Sequence, residues 1–470
     1  MRIVMKFGGA IMRDADDILK VAEIVKGYRS KGDEVAVVVS ALGGTTDSLV
    51  EIMKNIAYAK KARMEKMLDS IASRHLGVTK RIEDPKLAEE TEGTVNRLMD
   101  DFRNVALGIS HIGELTPRSR DFLLSFGERL SAPIVTAFMK QRGVEAKALS
   151  GGEAGIMTDD CFGEAEPLIN VTNMQLKQNL EPLLKEGITP VITGFIASTQ
   201  SGVTTTLGRG GSDLTAAVVG HALEADELWF WKDVPGMMTA DPLLFSGARV
   251  IEKIAFKEAI EMAHFGAMVI HPKALEQGIN NELVYRIRNI DDPDGRGTLI
   301  VRADDPDDAK KGAVIRGISV IDKVYLINIS GARLVGTPRV VARVLELLSN
   351  EEVDVLMISQ SSSEANVSIA IPEADSGDAM NILELSLLGT SLVREITGEG
   401  NYCIVAVVGK GMKGTPGVAA NVFKSMADRK INIRTIAQGS SELNISFMIS
   451  RDDAKVAVEA LHRDFRLDEA

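Results

Sequence analysis

The 470-residue sequence predicts an α/β protein in which helices cover both faces of a mostly parallel sheet, followed by two small βαββ units. Strand-like and helix-like segments alternate from the N-terminus, which is the order of a parallel sheet with helical crossovers. A stretch rich in Asp, Pro and Gly interrupts this alternation over residues 289–312. Beyond it, two segments of forty residues, starting at Gly331 and Gly409, align without a gap and match at fourteen positions.

The first domain is predicted to span residues 1–302. It begins with a strand over 3–7, an amphipathic helix over 14–31 and a nearly continuous apolar strand over 34–42. Residues 50–112 are charged and have apolar positions spaced every 3.6 residues, which predicts a helical excursion. Three later strand-like segments, separated by helical patterns, complete the domain: EAKALS, TPVITGFIAS and ELWFWKDV.

The two repeated units are predicted to span residues 313–392 and 393–470, each in the order strand, turn, helix, strand, strand. In both, a Gly-Thr-Pro sequence stands where the turn enters the helix, with proline near the first helical position. Polar residues recur at matching positions near the predicted strand edges: Gln360 and Gln438, Ser362 and Ser440, Asn366 and Asn444. The repeat is compatible with a dimer interface, with a ligand site between the units, or with both.

Composition and charge exclude several classes of protein. A net charge of −12 argues against a nucleic-acid or acidic-membrane partner, because both favour a basic surface. The sequence has no run of 18 apolar residues and no N-terminal export signal, so we expect a cytoplasmic location and no membrane insertion. Cys161 and Cys403 match no disulfide or zinc spacing, and the six histidines include no metal-binding pair, so no metal site is expected.

The first candidate site is the turn after the opening strand, where Lys6 and Phe7 precede Gly8 and Gly9. Adjacent glycines adopt positive φ easily, and the backbone N–H groups of such a turn can face an anion. Lys6 would add a positive charge at the same place. The pattern therefore indicates either a phosphate-binding turn or a simple tight turn.

The second candidate site is the glycine-rich loop LGRGGSD, residues 207–213, which leads into a helix. Arg209 offers a bidentate donor for a carboxylate or a phosphate, and free N–H groups at a helix N-terminus favour anions. In the alternative interpretation, Ser212 and Asp213 only cap the helix.

The third candidate is Glu128, which interrupts an apolar, helix-like segment. A buried carboxylate needs a cationic partner, because the loss of hydration is otherwise too costly. Arg129 or Arg118 would supply that partner in the simplest interpretation. Alternatively, Glu128 binds the amine of a ligand.

In sequence order, these motifs resemble those of aspartate kinases. The shared segments are KFGG, VVVSALGGTTDSL, ELTPRSRDFLLSFGERLSAPI, GGEAGIMTD, LGRGGSDLTAA, DVPGMMTADP, FGAMVIHP and two QxSSExN segments. The combination of FGERLS, GRGGSD and paired units that look like ACT domains separates aspartate kinases from other kinases of the amino-acid-kinase fold. The resemblance covers essentially the whole chain and implies the three-layer sandwich of that fold.

The resemblance also implies a reaction and its residues. MgATP would phosphorylate the side-chain carboxylate of L-aspartate to 4-phospho-L-aspartate, the first step of lysine, threonine and methionine biosynthesis. Arg209 would bind the α-carboxylate of aspartate and Glu128 its α-ammonium group. Substrate contacts are also assigned to Thr46 and Ser212. Lys6 and Asp213 would be catalytic, and the residues assigned to the nucleotide are Lys6, Gly8, Gly9, Lys232, Asp233 and Thr239.

Regulation follows from the same resemblance. Lysine or threonine would act as a feedback effector bound near the six repeated polar residues of the ACT-like units. These units would also join the chain into a homodimer or a higher homo-oligomer.

The nucleotide side of the sequence departs from the family pattern at six positions: Ala10, Ile11, Lys232, Met238, Leu243 and Met268. Several of these replace hydroxyl or cationic residues, so ATP binding would be weakened unless the new Lys232 compensates. Two other functions stay open for this reason. One is a non-catalytic amino-acid-binding regulator, and the other is an amino-acid kinase with a changed acceptor or phosphoryl donor.

Overall fold

The computed structural model describes residues 1–57, 61–267, 269–279, 283–302, 314–331, 338–360, 366–388 and 393–468. Met268 and Ser362, which the sequence assigns to the nucleotide site and the effector site, lie outside these ranges. The described chain forms two compact units. The first comprises Met1–Met237, Glu252–Phe256 and the residues from 269 to 302. The second comprises Met238–Ile251, the residues from 257 to 267, and the described residues from 314 onward.

The helices and strands between Met1 and Arg302 alternate as the sequence predicts. In chain order they are β1 (Arg2–Phe7), α1 (Ala15–Arg29), β2 (Glu34–Val39), α2 (Thr45–Ala57), α3 (Lys61–Thr79), α4 (Pro85–Ile112), α5 (Pro117–Leu124), α6 (Phe126–Gln141), β3 (Ala146–Leu149), α7 (Gly151–Ala154), β4 (Met157–Thr158), α8 (Ile169–Lys185), β5 (Thr189–Thr193), β6 (Ile196–Thr199), β7 (Thr204–Thr206), α9 (Gly211–Ala222), β8 (Glu227–Lys232), β9 (Lys253–Ala255), α10 (Phe256–His264), α11 (Pro272–Ile279), β10 (Val284–Asn289) and β11 (Thr298–Val301).

The central sheet of the first unit has eight strands in the order β3-β5-β2-β1-β8-β10-β11-β9. Neighbouring strands are parallel except for the pair β10 and β11. Nearly every residue of β1, β2 and β8 is buried, as expected for parallel strands covered on both faces. Because these three strands are parallel and adjacent through β1, their carboxyl ends meet at one edge of the sheet.

Helices α2, α3 and α4 occupy the region where the sequence predicts a helical excursion. The longest of them, α4, has clear start and stop signals. Its N-cap Asp84 accepts hydrogen bonds from the backbone N–H groups of Lys86 and Leu87, and Pro85 is its first residue. It ends at Gly113, whose φ of 75° is in the left-handed region that glycine tolerates.

One stretch of the described chain, Pro117–Gln141, is long and apolar enough by composition to cross a membrane. It comprises α5 and α6, and 83% of its most apolar window is buried inside the protein. Burial of this kind is typical of a core helix, since a membrane span exposes its apolar residues to lipid.

Beyond Arg302 the order of elements reflects the internal repeat. The elements are β12 (Gly317–Ser330), α12 (Pro338–Asn350), β13 (Met357–Gln360), β14 (Asn366–Pro372), α13 (Ser376–Leu387), β15 (Glu395–Val408), α14 (Val418–Asp428), β16 (Thr435–Ala437), β17 (Asn444–Ser450) and α15 (Ala454–Asp464). Each repeat therefore has the predicted strand, helix, strand and strand, and each ends in an additional helix.

The two repeats share one antiparallel sheet of six strands, ordered β13-β14-β12-β15-β17-β16. The long strands β12 and β15 pair with each other at its centre. Helices α12 and α13 cover the half formed by the first repeat, and α14 and α15 cover the other half. The outer strands β13 and β16 approach each other, so the sheet is curved.

Two segments that precede residue 302 belong to this second unit. In the first, Leu244 and Phe245 pack into the core of the second repeat. In the other, Glu258 is 1% exposed and accepts a hydrogen bond of 2.8 Å from the backbone N–H of Lys410. The two compact units therefore do not divide the chain at one point near residue 302. The predicted domain boundary at that point stays a prediction.

Candidate active site

Charged side chains gather where β1, β2 and β8 end. Lys6 is the last residue but one of β1, and Lys232 is the last residue of β8. Ala41 follows β2, and Asp213 lies in the first turn of α9. Ligands of open α/β sheets bind outside the carboxyl ends of the strands, so this edge is the expected place for a site.

Asp213 is the centre of this cluster, since two lysines face its carboxylate. Lys6 Nζ lies 2.6 Å from Asp213 Oδ1, and Lys232 Nζ lies 4.0 Å from Asp213 Oδ2. The backbone N–H of His271 donates to Asp213 Oδ2 at 3.1 Å. Burial alone would raise the pKa of Asp213, but the two ammonium groups outweigh it and hold the pKa at about 2. Asp213 is therefore ionised, and its carboxylate faces two ammonium groups.

Of the two lysines, Lys232 lies farther from the carboxylate of Asp213 and is more exposed. Its side chain is 20% exposed, whereas that of Lys6 is 7% exposed. Burial, followed by repulsion from Lys6, lowers the pKa of Lys232 to about 8. Lys232 is thus a cation at neutral pH whose nearest carboxylate is already paired with Lys6.

The turn after β1 differs from the expected positive-φ turn. Gly8 has a φ of −83°, and neither it nor Gly9 is among the residues with positive φ. A 3-10 turn over Gly9–Ile11 follows instead. Glycine is needed at position 9 for another reason, because an added Cβ would lie 2.8 Å from the carbonyl oxygen of Ala41. The loops after β1 and β2 therefore pass close to each other beside Lys6.

Glu128 is buried beside the loop that follows β2. It lies in the first turn of α6, is 5% exposed, and its Oε1 accepts a hydrogen bond of 3.1 Å from the backbone N–H of Ala41. Burial raises the pKa of Glu128 to about 8, against the opposing effects of that hydrogen bond and of Lys6. Glu128 is therefore mostly protonated at neutral pH.

The simplest interpretation of Glu128, an ion pair with a neighbouring arginine, is wrong for the described chain. Neither Arg118 nor Arg129 forms a salt bridge with it there. The guanidinium group of Arg129 instead lies over the rings of Phe126, at 4.4 Å, and Phe122, at 5.6 Å. A buried carboxyl group that forms no salt bridge within the described ranges leaves room for a cationic group of a ligand.

The loop that contains Arg209 is held in a defined conformation while Arg209 itself is exposed. Gly210 precedes α9 with a φ of 73°, and a Cβ there would lie 2.1 Å from the ring of His271. The helix has no side-chain cap, so Ser212 and Asp213 do not cap it. Arg209 thus presents its guanidinium group to solvent, and Ser212 is partly buried beside Asp213.

The remaining predicted contact residues of the first unit are exposed. Thr46 is in the first turn of α2 and Asp233 directly follows β8, and both are exposed. The neighbouring Thr45 is instead 1% exposed, and its hydroxyl has no hydrogen-bond partner within the described ranges. Such an unsatisfied hydroxyl at the start of α2 is a feature that the sequence did not single out.

Thr239 belongs to the second unit, where its hydroxyl is already engaged. The Oγ1 atom lies 2.9 Å from Nε2 of His462 and accepts a hydrogen bond from the backbone N–H of Arg249. Of the altered nucleotide positions nearby, Met238 is partly buried and Leu243 is 91% exposed.

The predicted effector residues that the structure describes lie on the outer part of the six-stranded sheet. Gln360 ends β13, and Gln438 directly follows β16, so both exposed side chains are at the ends of the outer strands that approach each other. Ser440 is exposed, and Asn366 begins β14. Asn444 is 9% exposed and donates from its Nδ2 to Glu261.

Sequence inspection missed three groups, two at the active site and one on α5. The backbone N–H groups of Ala41 and His271 contact Glu128 and Asp213, and no side-chain pattern indicates such contacts. The third group is the carboxylate of Asp121, which is 0% exposed. A charged residue in the otherwise apolar run DFLLSF was a visible signal for it.

Comparison with known proteins matches both parts of the chain to known families. Residues 1–289 match the Amino acid kinase family, and residues 327–387 and 405–465 match the ACT domain. Aspartokinase 2 of Arabidopsis thaliana is 30% identical over 98% of this chain and 84% of its own length. Bifunctional aspartokinase/homoserine dehydrogenase 1 of the same plant is 31% identical over 99% of the chain, but the chain spans only about half of that relative.

Escherichia coli aspartokinase III has been solved in two forms that resemble this structure. Its complex with aspartate and ADP is 30% identical, with a TM-score of 0.80 over 99% of both chains. Its complex with lysine and aspartate gives a TM-score of 0.82 at 30% identity, over 98% of this chain and 99% of that one. The chain belongs to the aspartokinases of the amino acid kinase family, which confirms the family and the fold predicted from its motifs.

Proposed function

We propose that this chain transfers the γ-phosphoryl group of MgATP to the side-chain carboxylate of L-aspartate, giving ADP and 4-phospho-L-aspartate. The main support is the cluster at the sheet edge, in which Lys6 and Lys232 share the carboxylate of Asp213. Two ammonium groups at the carboxyl ends of the strands favour a multiply charged anion such as a triphosphate. The test is ADP production with aspartate, compared with reactions that contain no amino acid or a different one.

In the proposed reaction, a side-chain oxygen of aspartate attacks the γ-phosphorus in line. The bond from that phosphorus to the oxygen that bridges it to the β-phosphorus breaks, and ADP leaves. The attacking carboxylate is ionised at neutral pH, so no general base is needed. Lys6, which Asp213 holds in place, would neutralise the transferred phosphoryl group together with the amides of Gly8 and Gly9.

The metal in this proposal enters with the nucleotide. Mg²⁺ in kinases is bound through phosphate oxygens and one or two carboxylates, and it neutralises charge between the phosphates. In the described part of the chain, no three His, Cys, Asp or Glu side chains form a metal-binding group.

Two groups of opposite charge would bind the amino-acid part of aspartate. Arg209 would bind the α-carboxylate with its bidentate donors, and Glu128 would bind the α-ammonium group. The buried position of Glu128, which forms no salt bridge in the part of the chain that the structure describes, supports this assignment. Thr46 and Ser212 stay predicted contacts with the same substrate, and Asp233 and Thr239 stay predicted contacts with ATP.

Lys232 is the residue on which ATP binding is expected to depend most specifically. Replacing Lys232 with Thr removes a cation whose nearest carboxylate is already paired, so we expect the KM for ATP to rise about tenfold. The KM for aspartate should change less than twofold. Lys177→Thr is the control, because that exposed lysine pairs with Glu224 on the surface. An unchanged KM for ATP in Lys232→Thr would show that Lys232 does not contact the nucleotide.

For regulation, we propose that lysine or threonine binds at the ACT units and inhibits the enzyme by favouring a less active state. The exposed Gln360 and Gln438 on the outer strands of the six-stranded sheet support this location. We expect Gln438→Ala to raise the inhibitor concentration for half inhibition at least about tenfold, with kcat unchanged. The measurement is an inhibition curve for each amino acid, with Gln178→Ala on α8 as the control. Equal inhibition of the Gln438 variant and the native chain would place the effector elsewhere.

The proposed assembly and location follow the same reasoning. We propose a homodimer or higher homo-oligomer joined through the ACT units, in a cytoplasmic setting. The two free cysteines of the described chain, exposed Cys161 and buried Cys403, are compatible with a reducing compartment.

A further inference from the structure

We propose that Asp121 is a positioning residue for aspartate binding, because it fixes the loop that presents Arg209 against the helical segment that contains Glu128. This inference rests on the proposed function, in which those two residues bind the α-carboxylate and the α-ammonium group. Asp121 itself would not contact the substrate. It would instead set the distance and orientation between the Arg209 guanidinium group and the Glu128 carboxyl group.

The carboxylate of Asp121 accepts three hydrogen bonds, one from the loop at Gly163 and two from Thr206 at the end of β7. Its Oδ2 accepts from the backbone N–H of Gly163 at 3.0 Å and from the backbone N–H of Thr206 at 2.9 Å. Its Oδ1 accepts from the hydroxyl of Thr206 at 2.8 Å. Asp121 and Thr206 are both 0% exposed, so water does not compete for these bonds.

These hydrogen bonds fix the segment that leads to Arg209. Thr206 is the last residue of β7, three residues before Arg209. Its carbonyl oxygen accepts from the N–H of Ala165 at 2.9 Å, which ties the same point to the loop that contains Gly163. Both polar groups of the Thr206 backbone and its hydroxyl are therefore bonded just before the exposed arginine.

The other end of the connection is the helix that leads to Glu128. Asp121 is on α5, and α6 begins after one intervening residue, Ser125. Glu128 lies in the first turn of α6, where its carboxyl group reaches the N–H of Ala41. Asp121 is thus the side chain that bonds the α5–α6 segment directly to the strand that precedes Arg209.

Asp121 acts here as a hydrogen-bond acceptor, and no side chain within the described ranges forms a salt bridge with it. Burial raises its pKa, while the three donors and Arg120 act in the opposite direction. An asparagine at this position keeps one oxygen for the two N–H donors and places an amide donor against the Thr206 hydroxyl, which can accept. Asp121→Asn should therefore preserve the connection that Asp121→Ala removes.

The test compares substitutions in the full-length chain by steady-state kinetics. Asp121→Ala is expected to raise the KM for aspartate at least about tenfold and to leave the KM for ATP within about twofold. Asp121→Asn should restore the KM for aspartate to within about threefold of the native value, and Thr206→Val should give an intermediate rise. Thr172→Val is the control, because that buried hydroxyl bonds the backbone of Met157 elsewhere in the unit.

Several outcomes would overturn the inference. One is an unchanged KM for aspartate in Asp121→Ala, and another is an equal rise in both KM values. If Asp121→Ala fails to fold, the other two variants decide. A normal KM for aspartate in Thr206→Val, or a KM for aspartate far above the native value in Asp121→Asn, contradicts the inference. Failure of the proposed function is recognised separately, because the native chain would then produce no ADP that depends on aspartate.

Discussion

Replacing Lys6 with methionine is expected to lower kcat for aspartate-dependent ADP formation by about a thousandfold. Removing one preorganised donor from a transition state typically costs about a hundredfold to a thousandfold, and Lys6 is a buried cation that is only 5% exposed. The substitution also deprives Asp213 of its closest partner, the Nζ atom at 2.6 Å. The pKa of Asp213 should rise, because one of the two ammonium groups that lower it is lost.

The measurement is kcat and both KM values, together with a melting temperature for each variant. The KM for aspartate should change little, because Lys6 is assigned to the phosphoryl group and not to the amino acid. Lys20→Met is the matched control: Lys20 is an exposed lysine of the same unit that pairs with Asp291 on the surface. A Lys6→Met enzyme with kcat within about tenfold of the native value would contradict the catalytic role of Lys6.

The fold could be predicted from the sequence because local and global signals agree. The apolar runs that became β1, β2 and β8 are continuous, so they specify buried parallel strands without knowledge of their partners. The internal repeat was visible because both copies keep the same turn and the same polar positions. The closing helices α13 and α15 were not predicted, since they lie outside the forty aligned positions.

The site was predicted in its residue types but not in its contacts. Lys6, Asp213 and Glu128 all lie at the sheet edge, yet the reason for Gly9 is a close approach to the Ala41 carbonyl and not a positive φ. Contacts of this kind join loops that are over thirty residues apart in sequence, so no local pattern encodes them. The sequence also could not show that Glu128 lacks an arginine partner. The adjacent Arg129, which the sequence offered as that partner, lies over aromatic rings instead.

The second large effect concerns the two charged residues assigned to the amino-acid part of aspartate. Glu128→Ala and Arg209→Ala are each expected to lower kcat/KM for aspartate by about tenfold to a hundredfold, since each removes one charge-assisted hydrogen bond of about 1.5–3 kcal/mol. The KM for ATP should stay within about twofold. Near-native kinetics for aspartate in either variant would show that the zwitterion binds elsewhere.

Binding of aspartate should also depend on pH, and the two residues should differ in this respect. Free Glu128 has a pKa of about 8, so it is mostly protonated at pH 6.5, whereas pairing with an ammonium group requires the ionised form. Binding below pH 8 must therefore release a proton, and affinity should increase as the pH rises toward 8 and then level off. From the linkage relation, aspartate should bind about twentyfold more weakly at pH 6.5 than at pH 8.5.

Calorimetry in two buffers of different ionisation enthalpy measures both the affinity and the released proton. Glu128→Gln should bind weakly and lose this increase of affinity with pH, because the carboxyl group that must ionise is gone. Arg209→Ala is the matched control, since it should bind weakly but keep the native pH dependence and the proton release. A native chain whose affinity for aspartate is flat across this range would mean that Glu128 is not the group that meets the ammonium. If Arg209→Ala abolished the pH dependence instead, the assignment of the two charges to the two ends of the substrate would be wrong.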